Sequence, residues 1–526
     1  MKIENSIFKL INIVSSLVIL LTIFGAVQSD NLNLSELKAS HLICILFIIV
    51  AMTMLIVSSY YRKRFLIFFE NMIFFLKKHL KKITFVLIAI TVVFQIIIVA
   101  VTTAPIGWDV GSIFNGLKNL DVTNESISNY LSMYPNNSFF FFLMLGIINS
   151  VNHFSPNIGN TWLFWQLLNI VVLDTGIGVL TVAANRLFSK RVSYLVLYLS
   201  MFSLALSPWL LVLYTDSLSF MFVSLVLLVY SFLGKKNKHH FICILFLGIL
   251  CGITFLIKPS AIIFLIAWTI VFIVIFVANY KKNRKYVNIL SVCLFVIGMV
   301  SSVTTFTIYK NQQTVIQYDK EKQFPMTHWM MMGLTGSGGY NSQDVSTMSK
   351  LKTTKERKEY AGKTIKKRLQ DYGVGGYLKF IIKKHFNNTD RGDFGWGSDG
   401  TPQKPENKSK SKFQSFFRDF YYQQGKRTRT LRFYMQILWI FTLFGMYLTT
   451  VSFDKKQISY RELIIKLTII GAMMFLLLFE GGRSRYLIQF LPFFYLLSAI
   501  GWESVLTATN RRKKENVKTF YSSTML

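Results

Sequence analysis

Cysteine is nearly absent: Cys44, Cys243, Cys251 and Cys293 are the only 4 in 526 residues. All lie within apolar runs, where a thiol packs as a small hydrophobe, so neither a disulfide framework nor a thiolate metal site is expected. Histidine is scarce as well, with 7 copies, and His328 has no second histidine or acid at metal-ligand spacing. Acids number 25 against 58 Lys and Arg, leaving a net charge of +33. The glycines make no phosphate-cradling nucleotide loop: the one Gly-Lys-Thr, Gly362 to Thr364, has Arg357 where that loop needs its first glycine. Neither a fixed-period repeat nor a likeness between the two halves is visible, which counts against the paired-halves design of many secondary transporters.

What the chain has in abundance is apolar length. Hydrophobic residues make up 52% and aromatics 15% of it, and mean hydropathy is positive, so its main solvent is lipid. Runs of about 17 to 24 apolar residues recur, and about 20 residues of helix cross the ~30 Å hydrocarbon layer. The first run, 7–27, follows Lys2 and Lys9 but lacks a small-x-small cleavage site, so it reads as a retained helix rather than a signal peptide.

Basic residues cluster between the runs: Arg62, Lys63 and Arg64 with Lys77, Lys78, Lys81 and Lys82; Arg186, Lys190 and Arg191; Lys235, Lys236 and Lys238. Further clusters are Lys281, Lys282, Arg284 and Lys285; Lys455 and Lys456; and Arg511 to Lys514. Such dispersal is the positive-inside pattern of a membrane protein, not a nucleic-acid patch. With these clusters in the cytoplasm, consecutive ones must be separated by an even number of spans. Spans at 7–27, 41–61, 83–103, 161–184, 192–213, 217–233, 241–257, 260–279, 287–309, 431–451, 463–480 and 487–506 satisfy that parity.

The expectation is therefore an all-α polytopic membrane protein of about 12 transmembrane helices with both termini cytoplasmic. Phe139 to Ile148 would break the parity as a span and is expected to lie on or dip into the outer leaflet. The same parity places 104–160, Lys258-Pro259 and 310–430 outside. In the last of these, a loop is expected around Gly333 to Tyr340 and a helix over 351–386 broken by Gly373, Gly375 and Gly376. Residues 387–412 read as polar and mobile.

Pro105-Ile106-Gly107-Trp108-Asp109 follows the third span directly. A carboxylate near the interface costs free energy unless it is wet or used, so Asp109 is either a functional acid or the cap of a helix starting near Gly111. Tyr134-Pro135-Asn136-Asn137 either stops one element and caps the next or contacts an acceptor or lipid. Glu480-Gly481-Gly482-Arg483-Ser484-Arg485-Tyr486 puts two arginines at the outer surface, against the positive-inside tendency. Guanidinium forks bind phosphate oxygens bidentately, and a Gly-Gly turn admits backbone amides to the same anion; snorkelling to headgroups or pairing with Glu480 are the plainer readings. Tyr214-Thr215-Asp216 and Lys258-Pro259 either bind a polar head group or simply punctuate helices. Pro325-Met326-Thr327-His328-Trp329, with Gly333 and Gly336 to Tyr340, forms an aromatic, glycine-rich cluster.

Together these residues resemble the GT-C superfamily of membrane-embedded glycosyltransferases, which includes protein O-mannosyltransferases and lipid A aminoarabinose transferases. Within it the chain is most similar to integral membrane transferases of Gram-positive cell envelopes. The resemblance runs from about residue 83 and rests on Trp108-Asp109, Tyr134 to Asn137, Tyr214 to Asp216, Lys258-Pro259, the 328–341 segment, and Arg483 to Tyr486 before a span containing Pro492. It implies a GT-C-like bundle in four parts: 1–82, two N-terminal helices and a basic cytoplasmic loop; 83–309, the catalytic module with outer loop 104–160; 310–430, one large extracytoplasmic basic domain; and 431–526, the C-terminal helices and tail.

The implied activity is inverting transfer of a sugar from undecaprenyl phosphate to an envelope polysaccharide or teichoic acid at the outer face of the bacterial cell membrane. Asp109 would be the catalytic base, and Arg483, Arg485 and Lys258 would hold the donor phosphate. Trp108, Tyr134, Asn136, Asn137, Asp216, His328 and Tyr486 would line the substrate site. Many members carry an acidic pair where this chain has Trp108-Asp109, with Asp121 and Glu125 the nearest other acids, so a divalent metal is left open. No other cofactor and no nucleic acid are expected. A flippase or exporter of lipid-linked glycan, and a non-catalytic scaffold of an envelope-synthesis complex, stay open as other readings.

Overall fold

The computed structural model describes residues 2–32, 59–233, 239–278, 289–396, 409, 411–451, 459–479 and 481–523, and among them no residue forms a β-strand. The helices that matter below are α1 (Lys2–Val27), α2 (Ser59–Thr102), α3 (Trp108–Lys118), α4 (Leu120–Met133), α5 (Ser138–Phe154), α6 (Trp162–Leu187), α7 (Lys190–Ser200), α8 (Thr215–Leu233), α9 (His240–Ile257), α10 (Ile263–Ala278) and α11 (Ile289–Gln312). They continue with α12 (Met326–Met332), α13 (Ser342–Lys350), α14 (Thr354–Thr389), α15 (Lys412–Tyr421), α16 (Thr428–Leu448), α17 (Tyr460–Leu478) and α18 (Leu491–Ser523).

Nine stretches among the described residues are long and apolar enough to cross a bilayer: Ser6–Val27, Lys78–Thr102, Trp162–Leu187, Thr215–Leu233, His240–Ile257, Pro259–Val277, Ile289–Gln312, Thr428–Leu448 and Ser484–Thr507. Each overlaps a span expected from sequence. Three expected spans are not among them. The one at 41–61 lies almost wholly outside the described residues. The one at 192–213 is broken: α7 stops at Ser200, a π-helical turn Met201–Ala205 follows, and Pro208 opens a 3-10 turn, Pro208–Leu211. Proline supplies no N–H to a helix interior, so it stands at the first position of a new turn there. The third, 463–480, falls on α17, which carries Arg461, Glu462 and Lys466.

Lys466 is fully buried and is held by Glu462 at 2.7 Å, by Asn12 Oδ1 at 2.7 Å and by the Thr449 carbonyl at 3.1 Å. A paired and fully hydrogen-bonded ammonium is the form in which a charge is tolerated inside an apolar bundle, and here it ties α17 to α1. Between α9 and α11 the contact is backbone on backbone. A Cβ at Gly248 would lie 2.2 Å from the Phe295 carbonyl oxygen, and one at Gly298 2.3 Å from that of Leu245. In lipid, where apolar surface gains little by leaving its solvent, such close approach is what holds helices together.

Phe139 to Ile148 falls within α5. Residues 124–133 and 135–154 are long and apolar enough to cross a bilayer only as a pair, bent by 109° at Tyr134. That pair, the rest of 103–161 and the described parts of 313–427 meet where α2 and α11 end, Asn124 bonding Val315, Ser132 bonding Asp319 and Tyr422 bonding Thr102; this end of the bundle is termed the loop face below. Phe140 and Phe141 are fully buried there, Phe140 against Trp165 and Tyr214, so α5 is packed into the protein.

The loop-face segment is built on α14. Its start is fixed by a capping box between Thr353 and Glu356, and Gly373, at φ 57° and ψ −179°, kinks it into two halves. The expectation of a polar, mobile 387–412 is corrected for its first part. Residues 389–396 form a buried turn in which Asp393 takes Arg391 at 2.6 Å and Arg432 at 3.3 Å, while Phe394 and Trp396 are 1% and 0% exposed. Residues 397–408 and 410 lie outside the described residues, as do Glu480 and the clusters at 235–238, 281–285 and 455–456.

Candidate functional site

The chain leaves α2 at the loop face and turns through Pro105 to Gly107 into α3. Trp108 opens α3 at φ 47°, in the left-handed region that a bulky residue rarely occupies. Asp109 therefore stands in the first turn but caps nothing: Gly107 holds the cap position without a side-chain bond. The Tyr130 hydroxyl donates to Asp109 Oδ1 at 2.8 Å, and the Tyr214 hydroxyl reaches Asp109 Oδ2 at 3.2 Å. Asn137 closes the ring, donating to the Tyr130 oxygen at 2.6 Å and presenting its Oδ1 2.9 Å from the Tyr214 hydroxyl. It is buried and makes no capping bond to α5, so its side chain belongs to this network. Burial first, and the charge of Asp109 second, keep the Tyr214 proton in place well beyond the ordinary tyrosine range.

A second cluster adjoins the first through Tyr214 and Trp108. Asp216, in the first turn of α8, is ion-paired on one oxygen with Lys258 Nζ and lies 3.6 Å from Arg485 Nε on the other. Lys258 holds the position after α9, where the helix has stopped before Pro259. Arg485 is 4% exposed; its guanidinium lies 4.1 Å from the Trp108 ring centroid and 5.2 Å from that of Tyr486. Lys258 Nζ also faces the Tyr486 ring at 5.0 Å. Two cations on one carboxylate leave a single positive charge in a buried, aromatic-walled setting, where it acts with less screening than at a surface.

The loop that carries Arg485 is fixed from α14. The Gly481 amide donates to the Gly338 carbonyl at 2.9 Å and the Gly482 amide to Asn388 Oδ1 at 2.6 Å. Gly482 sits at φ +66°, and a Cβ there would lie 2.3 Å from the Ser337 carbonyl oxygen, so the two glycine-rich loops interlock at a position only glycine fits. Lys384, fully buried, donates to the carbonyls of Gly333 at 2.7 Å, Leu477 at 2.9 Å and Phe479 at 2.6 Å.

On the other side of Trp108, Ser112, Asn115 and Lys118 of α3 face Asn160 and Trp162 across an open cleft of about 550 Å³. Trp162 stacks on Phe114 there at 3.9 Å.

Of the residues singled out by sequence, Trp108, Asp109, Asn137, Asp216, Lys258, Arg485 and Tyr486 thus come together. Arg483 lies apart, its guanidinium 5.7 Å from the Tyr340 ring centroid in the glycine-loop interlock. Asn136 is exposed, and its side chain donates to Asn137 Oδ1 at 3.5 Å. His328 is fully buried in the loop-face domain, with ring contacts to Phe324 at 4.5 Å and Trp329 at 5.0 Å. Burial lowers its pKa to about 4, so it sits there as a neutral core ring. Tyr134 stands between the two regions, 5.2 Å from Tyr130 and 5.8 Å from Trp329.

Tyr130 and Lys384 were not singled out by sequence, and Tyr214 entered only as part of a motif. A tyrosine or a lysine in a helix carries no local mark of its partners, which here lie 7 to 105 positions away for the tyrosines. Both oxygens of Asp109 already face phenolic hydroxyls, and no second carboxylate joins it among the described residues. That set does not fit a divalent cation, which takes several oxygen ligands, usually including more than one carboxylate. Among the described residues no three His, Cys, Asp or Glu side chains converge as a metal site.

No curated protein and no solved structure matches the chain. A family model described as conserved hypothetical integral membrane protein matches residues 3–506, and the chain belongs to that family of integral membrane proteins.

Proposed function

We propose that this protein is a glycosyltransferase that moves a sugar from a polyprenyl (undecaprenyl) phosphate to a cell-envelope polysaccharide or teichoic acid. In this reading the loop face is the outer face of a bacterial cell membrane and both termini are cytoplasmic. The observation that carries the proposal is the junction of two clusters: a carboxylate held by two phenols, Asp109, shares Trp108 and Tyr214 with a buried cation pair of net charge +1.

The donor phosphate is a diester with one negative charge, which the Lys258–Asp216–Arg485 set matches. As the bond between the anomeric carbon and the phosphate oxygen breaks, the bonding electrons leave with polyprenyl phosphate and its charge grows. The two cations stabilise that growth, which is the differential interaction that lowers a barrier. The acceptor hydroxyl attacks the anomeric carbon from the opposite side, giving inversion, and its proton passes to Asp109. Tyr130 and Tyr214 orient the carboxylate. Trp108, next in the chain to Asp109, also lines the cleft at Ser112 and Trp162, whose aromatic wall and polar rim suit a sugar.

The test is transfer of radiolabelled sugar from synthetic undecaprenyl-phosphate sugars to envelope glycan, in membranes with wild-type protein or Asp109→Asn. Transfer by wild type, and donor binding without transfer by the variant, is the expected result. Equal transfer by both removes Asp109 as the base. No transfer by wild type with any donor, together with movement of lipid-linked glycan across vesicles, would replace the enzyme by a carrier.

A further inference from the structure

The second half of α14, from the kink at Gly373 to Thr389, presents two distinct faces whose centres lie about a third of a turn or less apart. On one, Val374, Leu378 and Ile382 are 83%, 58% and 45% exposed at a spacing of four, so they form a stripe along the helix. On the other, Lys384 and Asn388 are buried and hold the glycine loops. Lys379 and Lys383 are exposed along the border of the apolar stripe.

What covers the stripe is indicated by where it leads. At its end, His385 Nε2 meets Thr22 Oγ1 of α1 at 3.0 Å and Phe386 packs on Phe24 with centroids 6.1 Å apart. Leu17, Leu20, Phe24 and Val27 of α1 are 41% to 62% exposed, on a helix apolar enough to span the bilayer. The α14 stripe thus continues the lipid-facing surface of α1 at the level of its last turns, and its border of lysines suits lipid phosphate. An amphipathic helix of this kind buries its apolar face about 5–10 Å into the boundary of headgroups and acyl chains.

We infer that the Val374–Thr389 half of α14 is an interfacial helix docked into the lipid leaflet on the loop face, with Lys379 and Lys383 on anionic phospholipid headgroups. Its protein-facing side carries Lys384 and Asn388, so contact with the leaflet sets the position of the Gly481–Arg485 loop. Gly373 lets this half lie along the membrane while the 354–372 half stands away from it. The inference concerns the fold's seat in the bilayer and holds whatever chemistry the site performs.

The experiment uses the full chain with its 4 cysteines replaced by alanine, single cysteines at Leu378, Ile382 or Lys363, and an environment-sensitive fluorophore on each. Proteins are placed in nanodiscs of phosphatidylcholine with or without phosphatidylglycerol. Positions 378 and 382 are expected to be quenched by a shallow spin-labelled lipid and shielded from aqueous iodide, with the reverse at 363. Lys379→Glu with Lys383→Glu shifts the docked-to-undocked ratio about fivefold per lysine when phosphatidylglycerol is present. Quenching at 378 and 382 by iodide and not by spin-labelled lipid overturns the inference. Shielding from both quenchers overturns it equally, because a protein surface then covers the stripe. If docking is unchanged by the two lysine reversals, anionic lipid is not the partner.

Discussion

The Tyr214 hydroxyl lies 3.2 Å from Asp109 Oδ2 although 105 positions separate the two residues. Tyr214 precedes α8 and Asp109 opens α3, so this one bond fastens the loop after α2 to the transmembrane core. It also places the carboxylate beside the cation pair, because the next residue but one after Tyr214 is Asp216. Tyr214→Phe removes the donor and leaves Asn137 Oδ1 short of a partner in a buried place. A loss of about 1–2 kcal/mol in stability is expected from that. Transfer should fall by roughly tenfold more than donor binding does, since a positioned base contributes 10²-fold or more to rate. Steady-state kinetics that separate kcat from KM check it; an unchanged kcat contradicts the role given to Tyr214.

Asp216 neutralises half of the charge of Lys258 and Arg485. Asp216→Asn leaves two cations in a buried site without their counter-charge, an arrangement that costs about 3–5 kcal/mol when a partner is removed. The prediction is a lowered Tm that recovers on adding an undecaprenyl-phosphate analogue, because the added anion supplies what the carboxylate did. Thermal denaturation of the detergent-solubilised protein across a phosphate-lipid titration measures this. Recovery as large in wild type as in the variant would remove the phosphate role from the pair.

Lys384 has three backbone carbonyls for partners. Lys384→Met keeps the length and apolar stem of the side chain but withdraws every donor, so three carbonyls lose a charged partner at once. A destabilisation of about 2–4 kcal/mol is expected, on the scale of buried acceptors left without a donor. The loops at Gly338 and Gly482 should loosen together. Hydrogen exchange at the Gly481 and Gly482 amides reports that loosening, and protection equal to wild type would contradict the clamp.

The sequence made the membrane class and the majority of the spans legible, because apolar length is a local property. It did not show that the 192–213 stretch is interrupted, for a reason that is also local: Pro208 lies inside an apolar run whose hydropathy hides the break. The 389–396 turn was misread because Asp393, Arg391 and Arg432 look like solvated charges one at a time and become a buried set only when α14 meets α16. At the site, Asp109, Lys258 and Arg485 were visible as charges out of place at a membrane surface. Their mutual arrangement through Asp216 and Tyr214 was not, since Arg485 seemed to need Glu480 or a phosphate and in the fold already has a carboxylate.

His328 is the remaining case in which sequence and fold disagree about a role. It was expected to line a substrate site, yet it is fully buried against Phe324 and Trp329, and neither ring nitrogen has a hydrogen-bond partner among the described residues. Burying two polar nitrogens unpaired costs free energy, so His328→Phe, close in shape, should leave the fold as stable or more stable at neutral pH. The pH dependence has a definite sign. The unfolded imidazole titrates near 6.5, and burial lowers the folded value to about 4. Between these values the unfolded chain binds a proton that the fold refuses, so this residue's contribution is intact above 6.5 and is lost as pH falls toward 4. From 6.5 to 5 the loss is about 2 kcal/mol. His385, lowered to about 4 by burial, acts in the same direction. Asp390, raised to about 6 by burial against the opposing pull of Arg391, acts the other way, since its fold gains stability as pH falls through 6. Comparing Tm against pH for wild type and His328→Phe cancels those two groups and isolates the first. A shallower acid limb in the variant, with transfer activity retained, is the expected result; an acid limb as steep as wild type, or loss of transfer with the fold intact, would return His328 to the site.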